Sequence, residues 1–428
     1  MQAHPDWVPR RDECRTQRPM TGNGRVGPWA ATGWSKLSCM AGRYLALAFS
    51  LAVWPASAQL PASGKLADND WPLFRAEVAR VGKLLSSASE KATVTYEMAR
   101  TWASAKQWSE TMQWLQKVAG LGAGLDPSRD SIFAELRGTR EFEAILAAVN
   151  EATPVVSHSH SAFTVPEGDL VPESVAYDPK SKHFYFGSMN KGKVVRCSMS
   201  GDCTRFATGL GVVLGLKVRG NSLWLLSNSD NESALIQYDL ASARVVRKYP
   251  ATGAGHNFND LAIAPAGDVY LTDTRAGAVW HLATGSGDLT KLPERFEFAN
   301  GIALSSDGRL LYVSTFPDGI TVVDLPTRVA VPIARPTGLC LATIDGLYFY
   351  RGALVAIQNA FMTPRVVRFT LTRDLRGIER FDVLERRNPL FEGVTTGVVV
   401  RGEFYYMANI QDDKKTGFNP ITILKLHL

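Results

Sequence analysis

Cysteine is scarce in this chain of 428 residues, five in all, and none of the spacings brings two pairs together as a zinc site requires. Long apolar runs are missing too. The longest candidate, Tyr44 to Ala58, covers about 15 residues and contains Pro55, whereas a bilayer span needs about 20. A basic field is also absent from the body of the chain. The formal charge of +6 comes mostly from residues 1–58, which hold seven Lys or Arg and three acidic side chains, leaving 40 basic against 38 acidic. A nucleic-acid-binding body is therefore excluded. No Gly-x-Ser-x-Gly elbow occurs downstream of residue 58, which argues against a Ser-His-Asp hydrolase, and no dinucleotide fingerprint sits in a strand-turn-helix context.

What the chain does have is core material, with 45% hydrophobic residues against 21% charged, which excludes disorder over most of its length. The front end has the pattern of an export signal. Arg43, the apolar run and Ala56-Ser57-Ala58 before Gln59 match n-region, h-region and small-x-small cleavage site. Met40, followed by Ala41-Gly42-Arg43, is a candidate start, since 39 residues otherwise precede the signal. Periplasmic or secreted localisation follows, with no stable membrane insertion after cleavage. In an oxidising compartment Cys197 and Cys203, which bracket the turn-rich Ser-Met-Ser-Gly-Asp, form a plausible hairpin disulfide, with two reduced thiols as the alternative. Cys340, in Gly338-Leu339-Cys340-Leu341, is expected to be a small buried hydrophobe.

Two patterns divide the remainder. Residues 66–152 are helical in period: Tyr96, Ala99, Trp102, Trp108, Met112 and Leu115 predict an antiparallel helix pair turning near Lys106. A further amphipathic stretch, 132–149, is expected to bury Phe133, Leu136, Phe142, Ile145 and Leu146. The stretch around Met98, Ala99, Trp102, Trp108, Leu115 and Val118 resembles a single degenerate tetratricopeptide repeat, with a helical cap as the plainer alternative and a protein partner as the bolder one. Residues 153–164 are predicted to be a linker and closing strand. The pair His158 and His160 belongs to that linker.

From 165 to 428 the period changes to strands. Phe184-Tyr185-Phe186, Leu223-Trp224-Leu225, Val269-Tyr270-Leu271, Leu311-Tyr312-Val313, Leu354-Val355-Ala356 and Phe404-Tyr405-Tyr406 recur every forty to fifty residues. Six all-strand units predict a mainly β fold, a six-bladed β-propeller preceded by a small α-helical module, because radial packing buries both faces of each sheet and leaves only short edges. Ala162 to Val165 is placed to complete the last blade. A two-sheet sandwich is the structural alternative.

In a propeller the loops entering the innermost strands converge on the axis. Glu173, Asn259, Asn300 and Asp345 each precede an apolar strand in a different unit. Two carboxylates and two amide oxygens make a hard oxygen cage suited to Ca²⁺ or another divalent cation. His256 is a candidate base at the mouth, with a solvent-facing loop histidine as the alternative, and Asn359 and Asn409 are candidate pocket residues or turn caps.

The ordered set Pro172-Glu173-Ser174, Asn259-Asp260, Asn300-Gly301-Ile302 and Asp345-Gly346 resembles the gluconolactonase and regucalcin family of six-bladed propellers. That resemblance implies metal binding by Glu173, Asn300 and Asp345, with Asn259 contacting substrate or joining the metal shell. Two departures bear on substrate. Asn257 stands where sugar-lactone members have arginine, and Tyr177 where tryptophan is frequent. The implied activity is metal-dependent hydrolysis of a lactone or related ester, Asp345 orienting or deprotonating water or attacking directly. A non-catalytic propeller with a structural metal is the second hypothesis.

Overall fold

Alternating β-branched and aromatic residues between Gly- and Asp-rich turns fold residues 160–428 into strands that pair in six four-stranded antiparallel sheets. The computed structural model describes residues 60, 63–64, 71–87, 91–251, 255–410 and 419–428. The signal-like segment 1–58, with Met40, lies outside the described residues.

Blade 1 consists of β2 (Pro172–Asp178), β3 (His183–Ser188), β4 (Val194–Cys197) and β5 (Cys203–Ala207). Blade 2 is β6 (Val212–Arg219), β7 (Ser222–Asn228), β8 (Ser233–Asp239) and β9 (Val245–Pro250), and blade 3 is β10 (Phe258–Ile263), β11 (Val269–Asp273), β12 (Ala278–Leu282) and β13 (Thr290–Lys291). Blade 4 is β14 (Ile302–Leu304), β15 (Leu310–Thr315), β16 (Gly319–Asp324) and β17 (Val329–Pro332), and blade 5 is β18 (Ile344–Tyr350), β19 (Ala353–Gln358), β20 (Arg365–Leu371) and β21 (Ile378–Arg386). Blade 6 joins β22 (Gly397–Val400), β23 (Glu403–Met407) and β24 (Ile421–His427) to β1 (His160–Val165), with Phe163 opposite Ile423. The first strand of the ring thus completes the last sheet, so neither end is left as a free edge. The aromatic triplets that mark the repeat are the second strand of each blade.

Six hydrophobic clusters hold the ring, each spanning two neighbouring blades. Tyr185 and Val194 of blade 1 pack with Leu216 and Leu225 of blade 2; Phe163 and Tyr405 of blade 6 pack with Phe184 and Val195 of blade 1. Full burial of a residue of this size stabilises by roughly 1.5–3 kcal/mol. The even distribution around the ring excludes the two-sheet sandwich, whose core would lie between only two layers.

Ahead of the ring come α1 (Trp71–Ser87), α2 (Lys91–Ser104), α3 (Trp108–Gly120) and α4 (Arg140–Ala152). Helices α2 and α3 turn at Lys106, whose φ is 53°. The expected continuous stretch 132–149 is instead two pieces. A short 3₁₀ turn at Ser131–Leu136 starts on Asp130, which accepts from the Ile132 N–H, and the chain bends at Gly138, with φ 78°, before α4 begins. The periodicity carries across the break because Phe133, Leu136, Phe142 and Ile145 still share one core; Leu146 is only partly buried. That core also contains Cys340, Ala342 and Met362 of the ring, so the helices pack on the propeller at blade 5.

Candidate functional site

The innermost strands do not run straight into the axis. In β2 the register shifts between Pro172 and Ser174, in β6 between Val213 and Leu216, in β10 between Phe258 and Leu261, and in β18 between Ile344 and Leu347. Each bulge frees the residues at that point from the alternation that would otherwise bury them in a blade interface. Glu173, Asn259 with Asp260, and Asp345 occupy three of these bulges. Asn300 precedes the short β14 and is held by its N–H on the Ser314 carbonyl, at 3.0 Å.

A ring of hydrogen bonds passes between blades at the same level. Ser174 Oγ donates to the Leu214 carbonyl. The Asn228 amide pairs with the backbone of Phe258, both bonds 2.8 Å. Thr272 Oγ1 donates to the Asn300 carbonyl at 2.7 Å, and Ser314 Oγ to that of Ile344 at 2.9 Å. Asn359 Nδ2 reaches the Val394 carbonyl at 2.9 Å, and Thr396 Oγ1 closes the circle on the Glu173 carbonyl at 2.6 Å. Every blade therefore places the entering strand of its neighbour. Gly301 permits the close approach of blades 4 and 5, since a Cβ there would lie 2.3 Å from the Asp345 carbonyl oxygen.

Glu173, Asn259, Asn300 and Asp345 line one enclosed space of about 10 Å³, together with Lys217, Asp260 and Tyr348. That is room for about one water-sized occupant. Glu173 Oε2 and Asn300 Oδ1 are buried there without a hydrogen-bond partner, a costly condition for two oxygens in one cavity. Burial, and then the charge of Asp345, hold the Glu173 carboxyl well above the usual carboxylate range. Burial likewise raises Asp345, to about 6, against the opposing effect of hydrogen bonds from Asn359 and Asn300. Two crowded carboxylates and two orphaned oxygens suit a hard divalent cation, whose charge would relieve both conditions. Among the described residues no three His, Cys, Asp or Glu side chains cluster as a metal site, and here half of the donor set is amide.

The other predicted positions are elsewhere. His256 does not line the cavity: its Nδ1 lies 2.5 Å from Asp273 Oδ2 and its ring sits edge-on to Trp280, over the outer strands of blade 3. A buried carboxylate and an indole hold it there, apart from the residues that line the cavity. The Asn257 backbone N–H donates to the same carboxylate at 3.0 Å, and Asn257 is not among the residues that line the cavity. Asn409 ties the end of β23 to the start of β24, donating to the Pro420 carbonyl and accepting from the Thr422 N–H. Asn359 lies behind Asp345 instead of lining the space, its Nδ2 2.6 Å from Asp345 Oδ2. Cys197 and Cys203 are joined as a disulfide across β4 and β5, and Cys340 is buried.

Sequence reasoning missed Asp260, Lys217 and Tyr348. The signal for Lys217 was present, a lone cation inside Val-Val-Leu-Gly-Leu-Lys-Val.

Fold and site define the class: a six-bladed β-propeller with an oxygen-lined site on its axis. Residues 171–335, blades 1 to 4, match the family described as SMP-30/Gluconolactonase/LRE-like region. Glu173, Asn259 and Asn300 fall within the match and Asp345 just beyond it. Among solved structures the chain is similar to a gluconolactonase from Xanthomonas campestris, 15% identical over 64% of this chain and 95% of that one, with a TM-score of 0.46. It is also similar to regucalcin, a calcium-binding protein from Agrobacterium tumefaciens (17% identity, 62% and 93% covered, TM-score 0.47), and to virginiamycin B lyase from Staphylococcus aureus (13%, 63% and 98%, 0.44). No curated protein matches the chain significantly.

Proposed function

We propose that this protein is an exported hydrolase of lactones or related esters that depends on a divalent cation, Ca²⁺ by the chemistry of its donors. The observation that carries the proposal is the convergence of the partnerless oxygens of Glu173 and Asn300 with Asp345 on a space the size of one atom. Glu173, Asn259, Asn300 and Asp345 would hold the ion, which when bound polarises a carbonyl oxygen and balances negative charge developing on it.

The protein's own groups account for the proton movements. Asp345 is the base. Its Oδ2 is engaged by Asn359, so its other oxygen accepts the proton as a water oxygen attacks the carbonyl carbon. The ring C–O bond then breaks, and the leaving oxygen recovers that proton from the Asp345 carboxyl, giving the hydroxy acid. Lys217 and Tyr348 lie two or three residues further along their strands and form the inner wall, which leaves the bulged end for substrate. The disulfide in blade 1 supports an oxidising compartment.

The test is turnover of a lactone panel by the wild type and by Asp345→Ala and Asn300→Ala, with and without chelator. Chelator and both substitutions are expected to abolish turnover. Calcium uptake with no turnover on any ester would overturn hydrolysis and leave a structural metal in a binding propeller.

A further inference from the structure

Five blades furnish oxygen to the cavity or its rim; blade 2 furnishes a cation. Its contribution to the lining is Gly215 and Lys217, on β6 just past the bulge. The ammonium crosses to blade 3, 3.4 Å from Asp260 Oδ1, and lies 5.4 Å from the centre of the Tyr348 ring of blade 5. Asp260 is already occupied: Oδ1 also accepts from the Leu261 N–H at 2.8 Å and Oδ2 from the Ile302 N–H at 3.4 Å. So the cavity is lined by three carboxylates, Glu173, Asp260 and Asp345, of which one is committed to a lysine and to backbone donors.

We infer that Lys217 is a built-in counter-charge that sets which ionic charge the axial site accepts. This rests on the cation site proposed above. By pairing with Asp260, Lys217 leaves the space with the charge of Glu173 and Asp345 alone, −2, which one divalent ion neutralises. Without the lysine the lining carries −3 and matches a trivalent ion better. The ammonium also repels any ion in the cavity, in proportion to that ion's charge. Lys217 is thus a specificity-determining residue for the metal, acting through space and through Asp260, not a ligand.

The experiment measures ion binding directly on the full chain, Ca²⁺ by calorimetry and Tb³⁺ by sensitised luminescence. Lys217→Met is expected to tighten Ca²⁺ by about tenfold and Tb³⁺ by about thirtyfold, the logarithms scaling as the ionic charges. Lys217→Arg retains the charge and is expected to stay near wild type. Lys217→Met combined with Asp260→Asn restores the balance and is expected to return the preference for Ca²⁺, which also controls for misfolding of the single variant. Unchanged or weaker Ca²⁺ binding in a folded Lys217→Met, or equal tightening of both ions, overturns the role of Lys217 while leaving the site intact. Failure of every variant to take up either ion overturns the cation site itself.

Discussion

Replacing Asp345 by Asn should make the protein more stable without calcium and less responsive to it. The isosteric amide retains an oxygen for the Asn359 donor but carries no charge. In the fold the Asp345 carboxyl titrates near 6, against 3.8 as its ordinary value, chiefly because it is buried. A folded value above the unfolded one means that this group's stabilising contribution is complete below about 4 and is lost as pH rises through about 6. About two units correspond to roughly 3 kcal/mol, which metal-free wild type forgoes at pH 8 and Asp345→Asn does not. At about 2 °C per kcal/mol for a domain of this size, the variant should melt about 6 °C higher at pH 8 in chelator and lose most of that advantage at pH 4. Calcium reverses the order. An ion at a thousand times its Kd adds about 4 kcal/mol to the wild type, and the variant, short one anionic ligand, should gain only a small part of that. Differential scanning calorimetry from pH 4 to 8, with and without calcium, reads both effects. If the metal-free variant melts at or below wild type at pH 8, or shows the wild-type slope between pH 4 and 6, the two-carboxylate account of the cavity is wrong.

Gly301→Ala forces a methyl against the Asp345 carbonyl; a loss of about 1–3 kcal/mol and weaker calcium binding are expected from denaturation and calorimetry. Thr396→Ala and Ser314→Ala each break one link of the blade-to-blade ring, for about 1 kcal/mol apiece in urea unfolding, and the two should add because the links lie between different blades. His256→Ala should keep turnover within about twofold of wild type while costing about 1–2 kcal/mol of stability, since it strips one partner from the buried Asp273; a large fall in turnover would return His256 to the mechanism. Reducing Cys197–Cys203, a loop spanning six positions, should lower stability by about 2 kcal/mol, read from melting with and without reductant.

The even recurrence of aromatic strand cores is enough to call six blades, because each second strand is buried on both faces and must be apolar wherever it falls. Glu173, Asn259, Asn300 and Asp345 are legible for a related reason: a polar residue just ahead of an apolar inner strand has little room except toward the axis. His256 satisfies the same local rule yet stands apart from the residues that line the cavity. What holds it is Asp273, seventeen positions on, whose pull no local pattern discloses. For Asn359 the loop position leaves pocket lining and turn capping equally open, and its two bonds go instead to Asp345 and to a carbonyl of the next blade.

Strand content, repeat number and the types of oxygen donor are properties of short stretches, decided by propensity and by which face of a strand must be dry, so the amino-acid order alone determined them. The tertiary structure decided what depends on neighbours 28 or more positions away: the bonds that pass from blade to blade, the lysine set opposite Asp260, and the packing of the helices against Cys340 and Met362. Closing a ring brings residues together whose separation along the chain carries no trace of their distance in space.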